Sequence, residues 1–392
     1  MIYRRFEDID LSLLGFGCMR LPLNPDKSID TAEFQKMVDY AIEHGINYFD
    51  TAQPYHDGNS QIELGKALKK YPRNSYYIAT KYPGHQIRSS YDPAEVFENQ
   101  LKAMEVDYFD FYLLHNVYEN SIGVYEDPKW GIIDYFIEQK HKGRIRHLGF
   151  STHARPATID GFLDRYGDEL EFCQIQLNYL DWSLQDAKEK YEILTARGIP
   201  VWVMEPVRGG KLASFDEGIT KKLRGYRPDE STPAWAFRYL QRLDNVHMIL
   251  SGMSNIEQMK DNVKTFEELK PLNEEETGYI YEVAESLKSS VPCTGCSYCM
   301  EGCPMGLEIP HFISTYNDLK VTPTVNVSMW IEFLEEGKKP WDCIGCGQCS
   351  SICPQGIAVP EVLKELSDIV SGMTSWHDIS KAREEAEKRN RK

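Results

Sequence analysis

The stretch Tyr76–His115, YYIATKYPGHQIRSSYDPAEVFENQLKAMEVDYFDFYLLH, contains one complete strand–helix–strand unit. Its apolar and aromatic residues predict strands at Tyr76–Lys81 and Phe109–His115. A helix is predicted between them at Pro93–Glu105, with proline in its first turn. Two buried strands joined through a helix are typical of neighbouring parallel strands in an α/β fold.

The same alternation recurs at a pitch of about 30–35 residues on both sides of this unit. Eight strands, each followed by a helix, predict the fold class α/β, as a (β/α)8 TIM barrel. An open doubly wound sheet is the alternative, disfavoured because no glycine-rich phosphate turn follows the first strand. Met1–Leu14 predicts a hairpin at the bottom of the barrel, and Pro206–Thr232 a long irregular connection. The other predicted strands are Leu13–Cys18, Ile46–Asp50, Arg146–Ser151, Phe172–Leu177, Pro200–Glu205 and Val246–Ser251.

The composition narrows the class of protein. The chain has 392 residues, 42% of them hydrophobic, which is enough for a large core and a smaller second domain. The net charge of −16 and the absence of a basic run argue against a nucleic-acid partner. Met1–Asp10 does not resemble a signal peptide, and no apolar run approaches the roughly 20 residues that span a bilayer. We therefore expect a cytoplasmic protein with no membrane partner.

Eight of the ten cysteines lie in the last hundred residues, in two runs with an offset of 50 positions. Both runs read C-x2-C-x2-C-x3-C-P, the spacing of ferredoxin-type [4Fe–4S] ligands. Zinc sites use pairs of cysteines separated by longer loops, so zinc and a disulfide framework are both disfavoured. In such runs the fourth cysteine reaches the other cluster. The predicted ligand sets are Cys293, Cys296, Cys299 and Cys353 for one cluster, and Cys343, Cys346, Cys349 and Cys303 for the other.

This module resembles bacterial two-cluster ferredoxins, except that a long insert separates its two runs. Helical patterns within the insert, at His311–Leu319 and Ser328–Gly337, are similar to the α-helical ferredoxin domains of larger oxidoreductases. We therefore expect a smaller, mainly α-helical iron–sulfur domain after the barrel. The predicted boundaries are 1–270 for the barrel, 271–290 for a linker helix, 291–370 for the two-cluster domain and 371–392 for a charged C-terminal helix or tail with a solvated face.

Polar residues end three consecutive predicted strands, where TIM barrels place their chemistry. These residues are Asp50, Lys81 and His115, and Tyr55 follows Asp50 on the next loop. A tyrosine with its ordinary pKa of about 10 is a poor acid at neutral pH, and a neighbouring lysine lowers that pKa. Asp50 would hold the lysine in place, and His115 would orient a substrate carbonyl. The four residues therefore predict an acid–base site.

Residues 1–270 resemble the aldo-keto reductase superfamily, because these four residues match the catalytic tetrad of that family. The Leu14-Gly-Phe-Gly17 strand matches it as well. The resemblance implies that Tyr55, Lys81, Asp50 and His115 are catalytic and that NADH or NADPH passes hydride to a small carbonyl, or accepts it from an alcohol. Which of the two dinucleotides is used stays open, since Gln258 stands where NADPH-preferring members often carry arginine. The resemblance assigns the cofactor contacts to Ser151, Gln174, Met204, Pro206, Gly210, Lys211, Ser254, Gln258 and Asn262.

Three functional hypotheses follow from joining the two parts. The first is an NAD(P)-dependent carbonyl reductase or alcohol dehydrogenase whose clusters pass electrons to or from a partner protein. The second is a reductase fed by the clusters, in which the nicotinamide is absent or secondary. The third is an electron-carrier or interaction protein on a barrel that has lost its catalysis.

Overall fold

The computed structural model describes residues 1–86, 88–287, 291, 293, 295, 297–353 and 355–390, with the backbone alone at 298, 301 and 390. These residues form two compact units. The first comprises Met1–Tyr279 together with the end of the chain from Arg383 onward, and the second is Ile280–Ala382. The second unit is therefore contained in sequence within the first.

The first unit is a closed barrel of eight parallel strands, as predicted. Around the barrel each strand pairs with its sequence neighbour, and the last strand pairs with the first. A two-stranded antiparallel hairpin of β1 (Tyr3–Phe6) and β2 (Ile9–Ser12) precedes it. The barrel strands are β3 (Leu14–Gly17), β4 (Tyr48–Asp50), β5 (Tyr77–Tyr82), β6 (Phe109–Leu114), β7 (Ile145–Thr152), β8 (Cys173–Gln176), β9 (Val201–Met204) and β10 (Val246–Gly252).

Helices alternate with these strands, and several begin at the capping residues that the sequence offers. Asp92, for example, accepts hydrogen bonds from the backbone of Ala94 and Glu95 before proline opens the helix. The connection Pro206–Thr232 is not irregular throughout, as predicted, because it contains a 3-10 turn and a helix. The barrel helices are α1 (Thr31–Glu43), α2 (Asn59–Leu68), α3 (Pro93–Met104), α4 (Ile122–Tyr125), α5 (Ile132–His141), α6 (Pro156–Tyr166), α7 (Ala187–Ala196), α8 (Glu217–Tyr226), α9 (Thr232–Leu240) and α10 (Ile256–Thr265).

Aromatic side chains fill the bottom of the barrel. Phe6 of the hairpin packs edge-on against Trp202, with ring centroids 5.1 Å apart, and against Phe111 at 5.8 Å. Tyr48 and Phe172 belong to the same buried cluster. Because this end is packed with apolar rings, the polar chemistry of the barrel is confined to the carboxyl ends of the strands.

The second unit is mainly α-helical, as predicted. Its core is formed by buried residues such as Leu307, Phe312, Ile313, Leu363 and Leu366, and cysteines pack against it. The unit boundaries fall within its first and last helices. The helices are α11 (Glu274–Leu287), α12 (Tyr298–Glu301), α13 (Ile309–Val321), α14 (Val325–Glu332), α15 (Gln348–Ile352), α16 (Val359–Ser371) and α17 (Trp376–Asn390).

The end of α17 is not the solvated face that was predicted, because Ala386 and Glu387 are each only 6% exposed. Among the described residues, no helix combines the length and the apolar character that crossing a bilayer requires.

Candidate functional site

The four residues of the predicted tetrad meet at the carboxyl end of the barrel strands. Asp50 ends β4, Lys81 lies on β5, and His115 follows β6. The Lys81 ammonium is fully buried and donates hydrogen bonds to Asp50 Oδ1 at 2.6 Å and to the carbonyl of Thr51 at 2.8 Å. A buried lysine is costly without a carboxylate partner, so this pair fixes the ammonium at one position.

Tyr55 opens the 3-10 turn that follows β4 and lies beside this ammonium. Lys81 Nζ is 5.0 Å from the centroid of the tyrosine ring. Burial opposes the charge of Lys81, but the attraction of Asp50 and Tyr55 outweighs it, and the pKa of Lys81 is raised. Burial also raises the pKa of Tyr55, by more than Lys81 lowers it. Lys81 thus lowers the pKa of Tyr55 as expected, but the rise in pKa caused by burial is larger.

His115 completes the group, and a second histidine that sequence reasoning missed lies against it. The ring centroids of Tyr55 and His115 are 6.2 Å apart, and those of His85 and His115 are 4.4 Å apart. Burial places the pKa of both histidines well below the ordinary value of 6.5, so both rings are neutral near pH 7. Nδ1 of His115 is buried without a hydrogen-bond partner among the described residues. The only signal for His85 was its place on the loop after the strand of Lys81.

A cleft of about 330 Å³, open to solvent, extends from Tyr55 and Asp50 to the first turns of α10. Seven of the nine predicted cofactor contacts line it: Gln174, Met204, Pro206, Gly210, Ser254, Gln258 and Asn262. The other two do not line it. Ser151 is buried and accepts a hydrogen bond from the backbone of Asn116 at 2.8 Å, while Lys211 is exposed. Their assignment as contacts stays a prediction.

The chemistry of the cleft fits a nicotinamide dinucleotide. Oε1 of Gln174 is buried with no hydrogen-bond partner among the described residues, as expected for a group that would meet a carboxamide. Gly210 has a φ of +95°, a backbone conformation that glycine adopts without strain and that leaves the cleft wall open to a phosphate. At the far end, the backbone amide of Ser254 donates to Gln258 Oε1 at 2.8 Å.

The charged groups that line the cleft are few. Arg20 is its basic lining residue, and its guanidinium pairs with Glu205 at 3.2 Å across the cleft. Asp261 also lines the cleft, near the end occupied by Gln258. A doubly charged phosphate at that end would therefore meet a carboxylate rather than a cationic fork.

In the second unit, the predicted ligands of one cluster lie together. Cys303, Cys343, Cys346 and Cys349 line a single small cavity, with mostly apolar neighbours such as Leu307 and Leu363. This cavity joins the fourth cysteine of the first run to three cysteines of the second run. Soft thiolates converging on one apolar cavity have the donor chemistry that an iron–sulfur cluster requires.

The structure describes three of the four predicted ligands of the other cluster. Cys299 is buried, and Cys293 and Cys353 pack against the same core, while Cys296 lies outside the described residues. None of the described cysteines forms a disulfide bond. The two runs also share backbone geometry, because Gly295 and its counterpart Gly345 have φ values of +70° and +69°. A left-handed glycine at the same place in both runs gives them the same local turn of the backbone.

Comparisons with known proteins agree with this arrangement. The family model described as "Aldo/keto reductase family" matches residues 13–285. The model described as "4Fe-4S dicluster domain" matches residues 292–358. The first match covers most of the chain, and the second contains all eight cysteines of the two runs.

Individual relatives match about seven tenths of this chain over nearly their whole length. The uncharacterized oxidoreductase YqkF of Bacillus subtilis is 28% identical over 317 residues, which cover 71% of this chain and 97% of that protein. The NADH-specific methylglyoxal reductase of Escherichia coli is 24% identical, with coverage of 72% and 97%. The structure of aldo-keto reductase AKR11C1 from Bacillus halodurans, in its holo form, superposes with a TM-score of 0.59 at 30% identity and covers 72% of this chain and 96% of that one. This protein is therefore an oxidoreductase that belongs to the aldo/keto reductase family and carries a C-terminal 4Fe-4S dicluster domain.

Proposed function

We propose that this oxidoreductase reduces a small carbonyl compound, or oxidises the corresponding alcohol, with a nicotinamide dinucleotide, and that Tyr55 supplies the proton. The observation that carries the proposal is the buried Lys81–Asp50 pair beside Tyr55, at one end of a cleft that extends to the first turns of α10. Burying a charged lysine costs free energy, and a barrel that had lost its catalytic activity would not be expected to retain such a residue at this place.

Each residue of the site has a separate role in the proposed reaction. Nicotinamide, when bound, supplies a hydride to the carbonyl carbon or accepts one from the alcohol. The hydroxyl of Tyr55 gives its proton to the carbonyl oxygen, and the Lys81 ammonium stabilises the phenolate that is left. Asp50 holds that ammonium in position. The neutral ring of His115 offers a nitrogen to the carbonyl oxygen and thereby orients it.

The charges that line the cleft favour NADH over NADPH. The extra phosphate of NADPH would lie at the end of the cleft near Asp261, and Arg20 is already paired with Glu205. The E. coli relative named as NADH-specific is consistent with this choice.

The clusters, in this proposal, pass electrons to or from a partner protein. A hydride carries two electrons and each [4Fe–4S] cluster passes one, so a pair of clusters matches the electron count of one hydride. Five of the ligand cysteines, Cys293, Cys303, Cys343, Cys346 and Cys353, retain solvent exposure. Partial exposure of the ligands supports exchange with a partner.

The test uses the full chain, purified anaerobically with its clusters. Carbonyl reduction with NADH is measured for the wild-type protein, for Tyr55→Phe and for the control Tyr77→Phe, whose ring lies at the start of β5, away from the mouth. Loss of the proton donor should lower kcat by at least about 100-fold in Tyr55→Phe and leave the control unchanged. Full activity of Tyr55→Phe would overturn the role of Tyr55. Bleaching of cluster absorbance on addition of NADH would support electron exchange, and unchanged absorbance would contradict it.

A further inference from the structure

The loop after β4, which carries Tyr55, contains a strained segment. His56 and Asp57, which follow Tyr55 directly, have φ values of +50° and +55°, in the left-handed region that residues other than glycine rarely adopt. Such a conformation costs free energy and persists only where the surrounding structure imposes it. The position of Tyr55 therefore depends on contacts that hold this loop from outside.

Hydrogen bonds from other parts of the barrel unit hold the start of this loop. The carbonyl of Thr51 accepts a hydrogen bond from Lys81 Nζ at 2.8 Å, which fixes the residue directly after β4. Two residues further on, Gln53 Nε2 donates a hydrogen bond to the Glu387 carboxylate at 2.9 Å. Gln53 and Glu387 are both buried, so water competes little with this hydrogen bond. Gln53 thus connects the Tyr55 loop to α17.

The Glu387 carboxylate also binds the loop after β5. Both terminal nitrogens of the Arg88 guanidinium donate to it, at 2.9 and 3.0 Å, one to each carboxylate oxygen. One turn earlier in α17, Glu384 accepts a hydrogen bond from the Ser89 hydroxyl at 2.8 Å. A buried pair with two parallel hydrogen bonds has a fixed geometry. Glu387 therefore presents its acceptor oxygen to Gln53 at a defined place.

Tyr55 is close to this attachment. It lies two positions after Gln53, and its backbone amide donates a hydrogen bond to the carbonyl of Ala52 at 3.1 Å. Its neighbour Lys81 is held separately, by the carboxylate of Asp50. A displacement of the loop would therefore change the 5.0 Å separation between the Tyr55 ring centroid and Lys81 Nζ while the Lys81–Asp50 pair stays in place.

We propose that Glu387 is a positioning residue for the proton donor: through Gln53 it holds the Tyr55 loop at the place where Lys81 can stabilise the phenolate. A displacement of about 1 Å at a reacting group can lower a rate on the order of 100-fold, so one buried hydrogen bond to this loop can influence kcat. This inference rests on the proposed function. It adds to the acid–base site a residue from the segment that begins at Arg383, which belongs to the barrel unit although about a hundred residues separate it from the rest of that unit.

The kinetic test uses the full chain, purified anaerobically with its clusters. Gln53→Met removes the hydrogen bond to the loop and keeps the Arg88–Glu387 pair, whereas Glu387→Ala removes both. We expect each variant to lower kcat for carbonyl reduction by about tenfold or more. The Kd for NADH should change by less than about threefold, because neither Gln53 nor Glu387 is among the residues that line the cleft. Glu385→Ala, at an exposed position of the same turn, is the control and should change neither value.

A double-mutant cycle distinguishes positioning from a general loss of stability. Because Glu387 acts on Tyr55 through Gln53 in this proposal, Glu387→Ala should lower kcat by less than about twofold further in a Gln53→Met background. Losses of kcat that multiply in the double variant would mean that Glu387 does not act through Gln53, and they would overturn the inference. An unchanged kcat in Gln53→Met would overturn it as well.

A measurement that needs no turnover separates this inference from the proposed function. In protein labelled with fluorotyrosine, the fluorine resonance of residue 55 is the one missing from the spectrum of Tyr55→Phe. It should shift or broaden in Gln53→Met and in Glu387→Ala, and stay unchanged in Glu385→Ala. An unchanged resonance in Gln53→Met, with carbonyl reduction retained, would overturn the positioning role and leave the proposed function intact. A shifted resonance in a protein that reduces no carbonyl would support the hold of Glu387 on the Tyr55 loop and overturn the proposed function.

Discussion

Arg88 and Glu387 form a buried ion pair between residues 299 positions apart, with each side chain only 7% exposed. The pair fastens the end of α17 to the loop after β5. The stability of the pair is therefore the first property to test.

Glu387→Ala should release the end of α17 from the barrel. The substitution leaves the Arg88 guanidinium without its carboxylate, which for a buried pair costs about 3 kcal/mol or more. The segment can detach without unfolding the barrel, so we expect faster amide exchange in residues 383–390, by on the order of 100-fold. Glu385→Ala, at an exposed position of the same turn, is the control. Equal exchange in the two variants would show that the pair does not hold the segment.

Lys81→Met should lower both stability and activity, and a second substitution should separate the two effects. Without the ammonium, the Asp50 carboxylate is buried alone, at a cost of about 3 kcal/mol. Replacing both partners, in Lys81→Met with Asp50→Asn, should recover most of that stability, while kcat stays at least about 100-fold below wild type because Tyr55 lacks its cation. Thermal unfolding and steady-state kinetics on the three proteins measure this. Recovery of activity in the double variant would argue against a catalytic role for Lys81.

Stability should decrease as the pH falls below about 6.5. Burial, reinforced by nearby cationic side chains, holds the pKa of His85 and His115 well below the ordinary 6.5. Below that pH the unfolded chain binds protons that the native protein does not bind, so acid favours unfolding, and the effect is absent above pH 7. Each histidine contributes up to about 1.4 kcal/mol per pH unit. The pH dependence of the unfolding midpoint should become shallower in His85→Gln than in the wild-type protein; an unchanged dependence in His85→Gln would contradict the assignment.

NADH should be used at least about tenfold more efficiently than NADPH, and Gln258→Arg should reduce the difference. The substitution places a guanidinium at the end of the cleft where the lining residues now include Asp261. Values of kcat/KM for both dinucleotides, in the wild type and the variant, measure the preference. Lys264→Arg, near the end of the same helix, is the control. A wild-type preference for NADPH would show that the charges of the lining residues do not decide the choice.

Cross-ligation of the two clusters predicts a specific dependence between cysteine substitutions. In a Cys343→Ala/Cys346→Ala background one cluster should be lost, which halves the iron bound per chain. Adding Cys303→Ser should then remove no further iron, because Cys303 belongs to the cluster already lost, whereas adding Cys353→Ser should remove the remainder. Iron quantitation after anaerobic purification measures the series. The opposite result would mean that each run of cysteines holds its own cluster.

Local patterns were sufficient to predict the fold. The eight barrel strands begin and end within two residues of their predicted bounds, because each is a short apolar run set off by turn and capping residues. The positions of Asp50, Lys81 and His115 at strand ends follow from the same bounds, since parallel strands carry their carboxyl ends to one side. The spacing of the cysteines within each run is also a local feature of the sequence, so the two iron–sulfur sites could be predicted without any knowledge of the fold.

The surroundings of Tyr55 could not be predicted in this way. Nothing in residues 371–392 distinguishes Glu387 from other charges on a terminal helix, and a solvated face was the natural expectation. Glu387 gains its role by packing against a loop about 300 residues earlier in the chain, where burial changes the energy of its charge. The net direction of the pKa of Tyr55 has the same origin, because desolvation depends on how much of the folded chain surrounds a group and not on its neighbours in sequence.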